Sequence, residues 1–221
     1  MEGGDDFVCG DAQFCDNFER TTLMGPWDSV TSGSDLSIVA DGVPGNHVLA
    51  VNIGTNATPI TYLKKLFGTS VSWISYAFRL YVHADVTSYA ALANLNLGEP
   101  DGTLGEVIFQ MVKTGSDVFQ AVNQHTQFDA GTNKGTPDVV PITMDTWTPV
   151  VIQTDLKTRT LAVYANNALV TSHPLQTTTP NWQSATGASF TLGVVTIDST
   201  GFINPSTVVL HYDDVAITYS P

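Results

Sequence analysis

The chain has 221 residues, of which 43% are hydrophobic, and its 21 Asp and Glu against 8 Lys and Arg give a net charge of −13. This charge repels phosphate backbones and anionic lipid headgroups, so we expect no nucleic-acid partner and no binding to membrane surfaces. No apolar run reaches the roughly 18 residues of a membrane span, which argues against membrane insertion. The charge also favours a neutral ligand over a polyanion, unless a local basic groove overrides it.

The first residues form an acidic tail. Met1–Asp6 contains no apolar stretch, so we expect no signal peptide; if the protein is exported, this is its mature part. Cys9 and Cys15 are the only two cysteines. A disulfide between them would anchor a tail of residues 1–13 to the first strand, and the acidic composition favours an oxidising compartment. Two reduced thiols on a mobile tail are the alternative.

Hydrophobicity alternates with a period of two along most of the chain, which predicts β-strands. In Ser72–His83 the apolar set is Tyr76, Phe78, Leu80 and Val82, and the set Ala77, Arg79, Tyr81 and His83 lies on the other face. The further predicted strands are Val48–Ile53, Ile60–Lys65, Ala90–Leu97, Glu106–Lys113, Val118–His125, Trp147–Thr154, Leu161–Ala165, Phe190–Val195 and Val208–Thr218.

Turn residues separate these strands at short intervals, as at Asp155–Thr158 and Asn166-Asn167. About a dozen short strands spaced in this way predict an all-β protein, a two-sheet antiparallel β-sandwich. The sequence contains no internal repeat and no linker. We therefore expect one domain over residues 14–221, with its longest loop over Gln127–Val139.

The two ends of the chain carry a family resemblance. The opening segment Phe14–Arg20, followed by Trp27, and the closing strand Val208–Thr218 resemble those of the concanavalin A-like (laminin G/glucanase) jelly rolls. That superfamily contains lectins, glycan-binding modules, glycoside hydrolases and polysaccharide lyases. The resemblance implies a jelly roll whose termini meet, with Trp27 and Trp147 buried as structural residues. Trp73 and Trp182, which stand beside turns, are expected to be more exposed.

The same resemblance implies a structural Ca²⁺ where the ends meet. Tyr212-Asp213-Asp214-Val215 matches the closing pattern in which an Asp ligates calcium, so Asp213 is the implied ligand. Gly45, in the turn that begins at Asp41, is the implied carbonyl donor, with Gly42 as the other choice. One carboxylate with carbonyls and waters is an acceptable Ca²⁺ ligand set. Alternatively, Asp213 or Asp214 only accepts hydrogen bonds from the opening strand around Asp16 and Glu19.

Glycosidase chemistry of the family type is not expected. The retaining glucanases of this fold carry Glu-x-Asp-x-x-Glu on a central strand, because two carboxylates must stand about 5 Å apart. That spacing does not occur here, and Glu106 is the only Glu inside a predicted central strand. A pairing of Glu106 with an Asp from a neighbouring strand is the one arrangement left open.

Lyases of this fold use a Tyr or His as base while Arg, Asn or Gln neutralises the uronate carboxylate. Arg79, Tyr81 and His83 share one face of a strand and would form such a set, with Tyr81 or His83 as base and Arg79 as neutraliser. The alginate-lyase motifs Arg-x-Glu-Leu, Gln-Ile-His and Tyr-x-Lys-x-Gly do not appear.

These observations favour a secreted glycan-binding module over an enzyme. Polar and aromatic residues on a concave sheet would bind an oligo- or polysaccharide by hydrogen bonding and stacking. We predict that Arg79, Tyr81, His83, Gln110 and Gln120 line that sheet. A polysaccharide lyase on the same face is the first alternative, and a structural or adhesive surface domain is the second.

Overall fold

The structure is a computed structural model, and every regular element in its described residues is a β-strand. The described residues are 9–31, 36–53, 61–67, 70–84, 90–99, 102–114, 117–125, 138–175, 187–197 and 208–221. The strands are β1 Phe14–Asp16, β2 Ser29–Thr31, β3 Leu36–Ala40, β4 His47–Ile53, β5 Thr61–Phe67, β6 Trp73–Ala84, β7 Ala90–Glu99, β8 Gly102–Thr114, β9 Asp117–His125, β10 Asp138–Val140, β11 Thr148–Asp155, β12 Thr160–Ala165, β13 Ala168–Pro174, β14 Ala188–Ile197 and β15 Val208–Ser220.

The strands form two antiparallel sheets, as the alternating pattern predicts. Sheet A has eight strands in the order β13-β12-β11-β6-β15-β4-β3, with β1 paired to β15 beside this path. Sheet B has seven strands in the order β10-β9-β8-β7-β14-β5-β2. The predicted loop Gln127–Val139 ends earlier than expected, because Asp138–Val140 forms β10, which pairs with β9. The rest of that loop and Trp182 lie outside the described residues.

The core lies between the two sheets, and β6 shows how the sequence builds it. Tyr76, Phe78, Leu80 and Val82 are all buried in the hydrophobic cluster, while Arg79 and its period-two neighbours face outward. The predicted division of this strand into an apolar and a polar face is confirmed. Phe78 meets Phe109 of sheet B edge-on, at 5.6 Å between ring centroids, so the aromatic core joins the two sheets.

The two ends of the chain meet, as predicted. In β1, Phe14 pairs with Ile217 and Asp16 with Val215 of β15. Asp16 is buried and accepts hydrogen bonds from Trp27 Nε1 at 2.6 Å and from Phe18 N at 2.9 Å, and it pairs with Arg20. Trp27 is buried, as the family resemblance implies.

Cys9 and Cys15 form the predicted disulfide, with their Cα atoms 5.8 Å apart. Because Cys15 pairs with Ala216 of β15, the disulfide attaches the preceding segment to sheet A. Residues 1–8 of the predicted tail lie outside the described residues. The described residues contain no helix long and apolar enough to cross a membrane.

A bulge in sheet B is held from sheet A. The pairing of β14 with β7 shifts register between Leu192 and Thr196, and there the buried Tyr212 hydroxyl reaches the carbonyl oxygens of Leu92 at 3.1 Å and Gly193 at 3.3 Å. Gly193 has φ +124°, and a Cβ at this position would stand 2.5 Å from the Thr61 carbonyl oxygen. Glycine is therefore required where β14 passes β5.

Candidate functional site

The structure divides the five predicted ligand-binding residues between two surfaces. Arg79, Tyr81 and His83 stand on β6 of sheet A, whereas Gln110 is on β8 and Gln120 on β9 of sheet B. Gln120 pairs with Met111, so it is also out of phase with Gln110 in the register. Alternation along one strand predicts which residues share a face of that strand. It does not predict which sheet the strand enters.

On sheet A, Arg79 already has partners for its charge. Its Nη1 donates to Asp214 Oδ2 at 2.9 Å and lies 3.9 Å from Asp213 Oδ2, and its guanidinium lies 5.0 Å from the ring centroid of Trp147. Asp213 precedes a bulge in β15 and Asp214, with φ 52°, lies within it. Because two carboxylates surround this guanidinium, little of its charge is left to attract a substrate carboxylate.

Tyr81 and His83 both turn toward Asp145. The Tyr81 hydroxyl lies 3.2 Å from Asp145 Oδ1, and His83 Nδ1 pairs with the same oxygen. The contact with His83 lowers the pKa of Asp145, whereas burial and the hydrogen bond to Asp145 raise the pKa of Tyr81. A tyrosine that donates to a carboxylate and has a raised pKa is poorly suited to act as a base.

Trp147 is not buried in the core, contrary to the expectation from the family resemblance. It immediately precedes β11, whose buried phase begins at Thr148, so alternation turns its indole to the outer face of sheet A. The ring centroids of Tyr81 and His211 lie 5.7 and 6.4 Å from that of Trp147, and those two rings stack on each other at 5.6 Å. We call Tyr81, Trp147 and His211 the aromatic patch. All three residues are half-buried.

On sheet B, four outward-facing polar residues are almost fully inaccessible. Asn94, Gln110, Ser189 and Thr191 are 6%, 2%, 8% and 3% exposed, respectively. Their register puts them on the face opposite the core, since Ser189 and Thr191 alternate with the core residues Phe190 and Leu192. We call these four residues the polar floor. These four side chains therefore face outward from sheet B but are largely shielded from solvent.

The polar floor offers hydrogen-bonding groups. Thr191 Oγ1 donates to the Asn94 carbonyl oxygen at 3.2 Å. Gln110 Oε1 has no hydrogen-bond partner among the described residues. A buried amide oxygen without a partner costs about 1–3 kcal/mol, so a ligand that donates to Gln110 would recover part of this cost.

Tyr62 and Lys64 stand beside the polar floor and were missed by the sequence reasoning. In the register of β5 with β14, Lys64 is opposite Thr191 and Tyr62 is opposite Gly193. The Lys64 ammonium makes no hydrogen bond or ion pair with the described residues, in contrast to Lys65, which pairs with Asp28 at 3.2 Å. The period-two spacing of Tyr62 and Lys64 was the available signal, but which sheet β5 joins was not.

Glu106, the one glutamate of a predicted central strand, is in the same sheet. Its backbone pairs with Asn96 on one side and with His125 on the other. Neither register partner is the aspartate that a two-carboxylate glycosidase of this type would place beside it.

Comparison with known proteins found no matching family model and no curated protein that matches the sequence. Solved structures do match. A variant of alginate lyase Aly36B, in complex with an alginate trisaccharide, superimposes with a TM-score of 0.65 at 16% identity, covering 87% of this chain and 88% of that one. The PL-14 alginate lyase from Aplysia kurodai gives 0.64 at 8% identity, covering 90% and 94%. The family 7 alginate lyase A1-II′ gives 0.59 at 10% identity, covering 86% and 85%.

The fold is a concanavalin A-like jelly roll. Likeness at 8–16% identity establishes the fold only. The sequence contains none of the motifs Arg-x-Glu-Leu, Gln-Ile-His and Tyr-x-Lys-x-Gly. Tyr62 and Lys64 of β5, which pairs with β14, have the tyrosine-to-lysine spacing of the last motif, with Leu66 at the position of its glycine.

The structure describes the surroundings of both calcium ligands that the resemblance implies, Asp213 and Gly45. Asp213 is buried, and burial followed by the charge of Asp214 raises its pKa to about 7. Asp213 Oδ1 accepts from Asp214 N at 2.9 Å, and Asp213 Oδ2 lies 3.9 Å from Arg79 Nη1. Among the described residues, the opening strand donates no hydrogen bond to Asp213. The turn that contains Gly45 is held by Asp41, which accepts from Val43 N and Asn46 Nδ2. No group of three or more His, Cys, Asp or Glu among the described residues is arranged to hold a metal.

Proposed function

We propose that the protein is a polysaccharide lyase that binds a uronate-containing chain across the outer face of sheet B. The observation that carries the proposal is the polar floor, a row of buried outward-facing amides and hydroxyls, with Lys64, which has no charge partner among the described residues, at its side. The similarity to solved alginate lyases over most of the chain supports the same proposal. It replaces non-catalytic glycan binding as the leading interpretation.

The charges of the two outer faces favour sheet B for an anionic substrate. On sheet A, Arg79 is surrounded by Asp213 and Asp214, with Asp145 close by. At the border of the polar floor, Lys64 brings a positive charge opposite Thr191 in the register. A local cation beside this face overcomes part of the repulsion from a chain of net charge −13.

Lyase chemistry assigns distinct tasks to these residues. Amide N–H groups of Gln110 and Asn94 bind the uronate carboxylate, which makes the neighbouring C–H more acidic. A base at Tyr62 or Lys64 removes that proton, a C=C bond forms, and the glycosidic C–O bond breaks. The other member of this pair returns a proton to the departing oxygen, so the products are a new chain end and an unsaturated uronate.

The test uses the purified chain with alginate, polygalacturonate and hyaluronan, and follows unsaturated uronate by its absorbance and cleavage by reducing ends. Both signals should appear together for at least one polymer. Lys64→Ala, Tyr62→Phe and Gln110→Ala should each reduce the rate ~10²–10⁴-fold, as is typical for the loss of an acid–base or charge-stabilising group.

Lys65→Ala is the matched control, since Lys65 is the neighbouring lysine but is paired with Asp28. It should retain the wild-type rate. The double variant Tyr81→Phe with His83→Ala tests the sheet A residues as the alternative catalytic set. If that variant abolishes cleavage while Lys64→Ala does not, the active site lies on sheet A and the proposal fails.

Glycan binding without cleavage is the second candidate, because the alginate-lyase motifs Arg-x-Glu-Leu, Gln-Ile-His and Tyr-x-Lys-x-Gly do not appear in the sequence. Polymer binding that is lost in Lys64→Ala, with no unsaturated product from any polymer, would establish it instead. Export from the cytoplasm is part of both proposals, and the disulfide Cys9–Cys15 supports it.

A further inference from the structure

The aromatic patch on sheet A is not used by the proposed function. Tyr81, Trp147 and His211 contact one another on the outer face, away from the core between the sheets. Beside them, the side chains of His83 and Asp145 are 64% and 57% exposed. Rings that served only to stabilise the fold would gain more by facing the core, where apolar area is fully removed from water.

We propose that the aromatic patch is a second saccharide-binding surface that takes a neutral polysaccharide chain. The proposal does not depend on lyase activity, since the patch and the polar floor belong to different sheets and face away from each other. The protein would then hold a neutral glycan on one face while the other face acts on an acidic one.

The aromatic rings give the patch its sugar-binding chemistry. The C–H face of a pyranose packs on an aromatic ring, and half-buried Tyr and Trp side chains supply such rings at small conformational cost. Trp147 is held in place by Arg79 on one side and Tyr81 on another. The exposed carboxylate of Asp145 accepts hydrogen bonds from sugar hydroxyls at the edge of the patch.

The charges around the patch select a neutral chain. Asp145, Asp213 and Asp214 flank it, and the one arginine among them is engaged by the two aspartates of β15. The His211 ring stacks on Tyr81 and adds a third aromatic face to the patch. A uronate polymer would be repelled here, whereas a glucan or mannan would not.

The experiment is native affinity electrophoresis of the whole chain in gels that contain hydroxyethylcellulose, glucomannan, xylan or polygalacturonate. We expect at least one neutral polymer to retard the protein. Trp147→Ala and Tyr81→Ala should each weaken that retardation at least tenfold, while Lys64→Ala, on the other sheet, should leave it unchanged. Trp73→Ala is the matched tryptophan control, because Trp73 lies on the same strand face and eight residues, roughly 26 Å at 3.3 Å per residue, from Tyr81.

Melting temperatures of all variants are measured in parallel. If Trp147→Ala does not fold, Trp147→Phe with Tyr81→Ala takes its place, since this pair keeps the packing under Arg79 but removes half of the patch. Absence of retardation by every neutral polymer would overturn the proposal. Retardation that survives in the folded patch variants, or that is lost in Lys64→Ala or Trp73→Ala, would overturn it as well.

Discussion

At the scale of single residues, the carboxylates of this acidic chain differ in what they do. Asp16 is buried and holds Trp27 and Arg20, Asp145 joins Tyr81 to His83, and Asp155 organises a turn. Asp213 is buried with a raised pKa beside Asp214. The net charge of −13 predicts none of these roles, because each depends on the donors that the fold brings to the carboxylate.

Because the pKa of Asp155 is lowered in the folded state, we expect the folded protein to lose stability in acid. Its Oδ1 accepts from Thr158 N at 2.9 Å and Lys157 N at 2.8 Å, and the hydrogen bond from Thr158 is the main cause of its lowered pKa. A carboxyl whose pKa is lower in the folded state stabilises it above the unfolded pKa of about 3.9, and this contribution is lost as the pH falls through the folded pKa.

Asp155→Ala should therefore cost about 1 kcal/mol at pH 7, and the difference from the wild type should shrink below about pH 4. Urea unfolding at several pH values measures this. Asp155→Asn, which keeps the acceptor oxygen without the charge, should lie between the two. A cost of Asp155→Ala that does not change with pH would contradict the role of the charge.

The effect of replacing Asp213 on the melting temperature distinguishes a calcium site from a site without calcium. Without calcium, a carboxylate whose pKa is raised to about 7 by burial destabilises the folded state at pH 8, so Asp213→Asn should raise the melting temperature in chelator. If Asp213 ligates Ca²⁺, the wild type is instead more stable than Asp213→Asn. Binding to the folded state alone stabilises that state by roughly 2.7 kcal/mol at a hundredfold excess of calcium over Kd.

Melting curves of wild type and Asp213→Asn, in millimolar calcium and in chelator, separate the two cases. Calcium that stabilises only the wild type supports the site. Superimposable wild-type curves, together with no metal by elemental analysis, would end the calcium proposal without affecting the fold.

At the scale of strands, two bulges shape the two outer faces. The bulge in β15 brings Asp213 and Asp214 to Arg79, and the bulge in β14 lies beside the polar floor and next to Tyr62. Bulges redirect side chains and break the regular ladder, and they occur frequently near functional sites. The Tyr212 hydroxyl ties the second bulge to sheet A.

Two buried tyrosines test how much the hydrogen bonding of the Tyr212 hydroxyl to the β14 bulge stabilises the fold. Tyr212→Phe leaves bulge carbonyls without their donor and should cost about 1–3 kcal/mol. Tyr76→Phe is the matched control, because the equally buried Tyr76 hydroxyl has no hydrogen-bond partner among the described residues. It should be neutral or stabilising. Urea unfolding of both variants gives the comparison, and equal costs would show that the tie contributes nothing.

At the scale of the whole molecule, the meeting of the two chain ends completes sheet A. The strand β1 pairs with β15, and the disulfide Cys9–Cys15 closes a short loop next to that pairing. A loop of this length restricts the unfolded chain little, so its entropic contribution is about 2 kcal/mol. The hydrophobic core, and not the disulfide, therefore stabilises the sandwich.

The double variant Cys9→Ser with Cys15→Ser should fold and should lose no more than about 2 kcal/mol. Far-ultraviolet circular dichroism and thermal unfolding check this, and a thiol count on the unreduced wild type should find no free thiol. Failure of the double variant to fold would show that the N-terminal segment has a larger structural role.

The alternation of residues along single strands was enough to predict most strands, the two faces of β6, the antiparallel sandwich and the meeting of the ends. These properties are local, or are carried by patterns at the termini, so the sequence contains them directly. The placement of Trp147 failed because the family pattern suggested burial, while the phase of β11 turned the ring outward.

Only the tertiary structure decided which strands become neighbours. It separated Arg79, Tyr81 and His83 from Gln110, and it brought Tyr62 and Lys64 beside Thr191, although more than 120 residues lie between them in the chain. It also surrounded Arg79 with aspartates. Sheet order depends on how all fifteen strands pack together, and no single segment encodes it. The sequence by itself thus determined the architecture and its faces, and the packing of the two sheets determined where a ligand can bind.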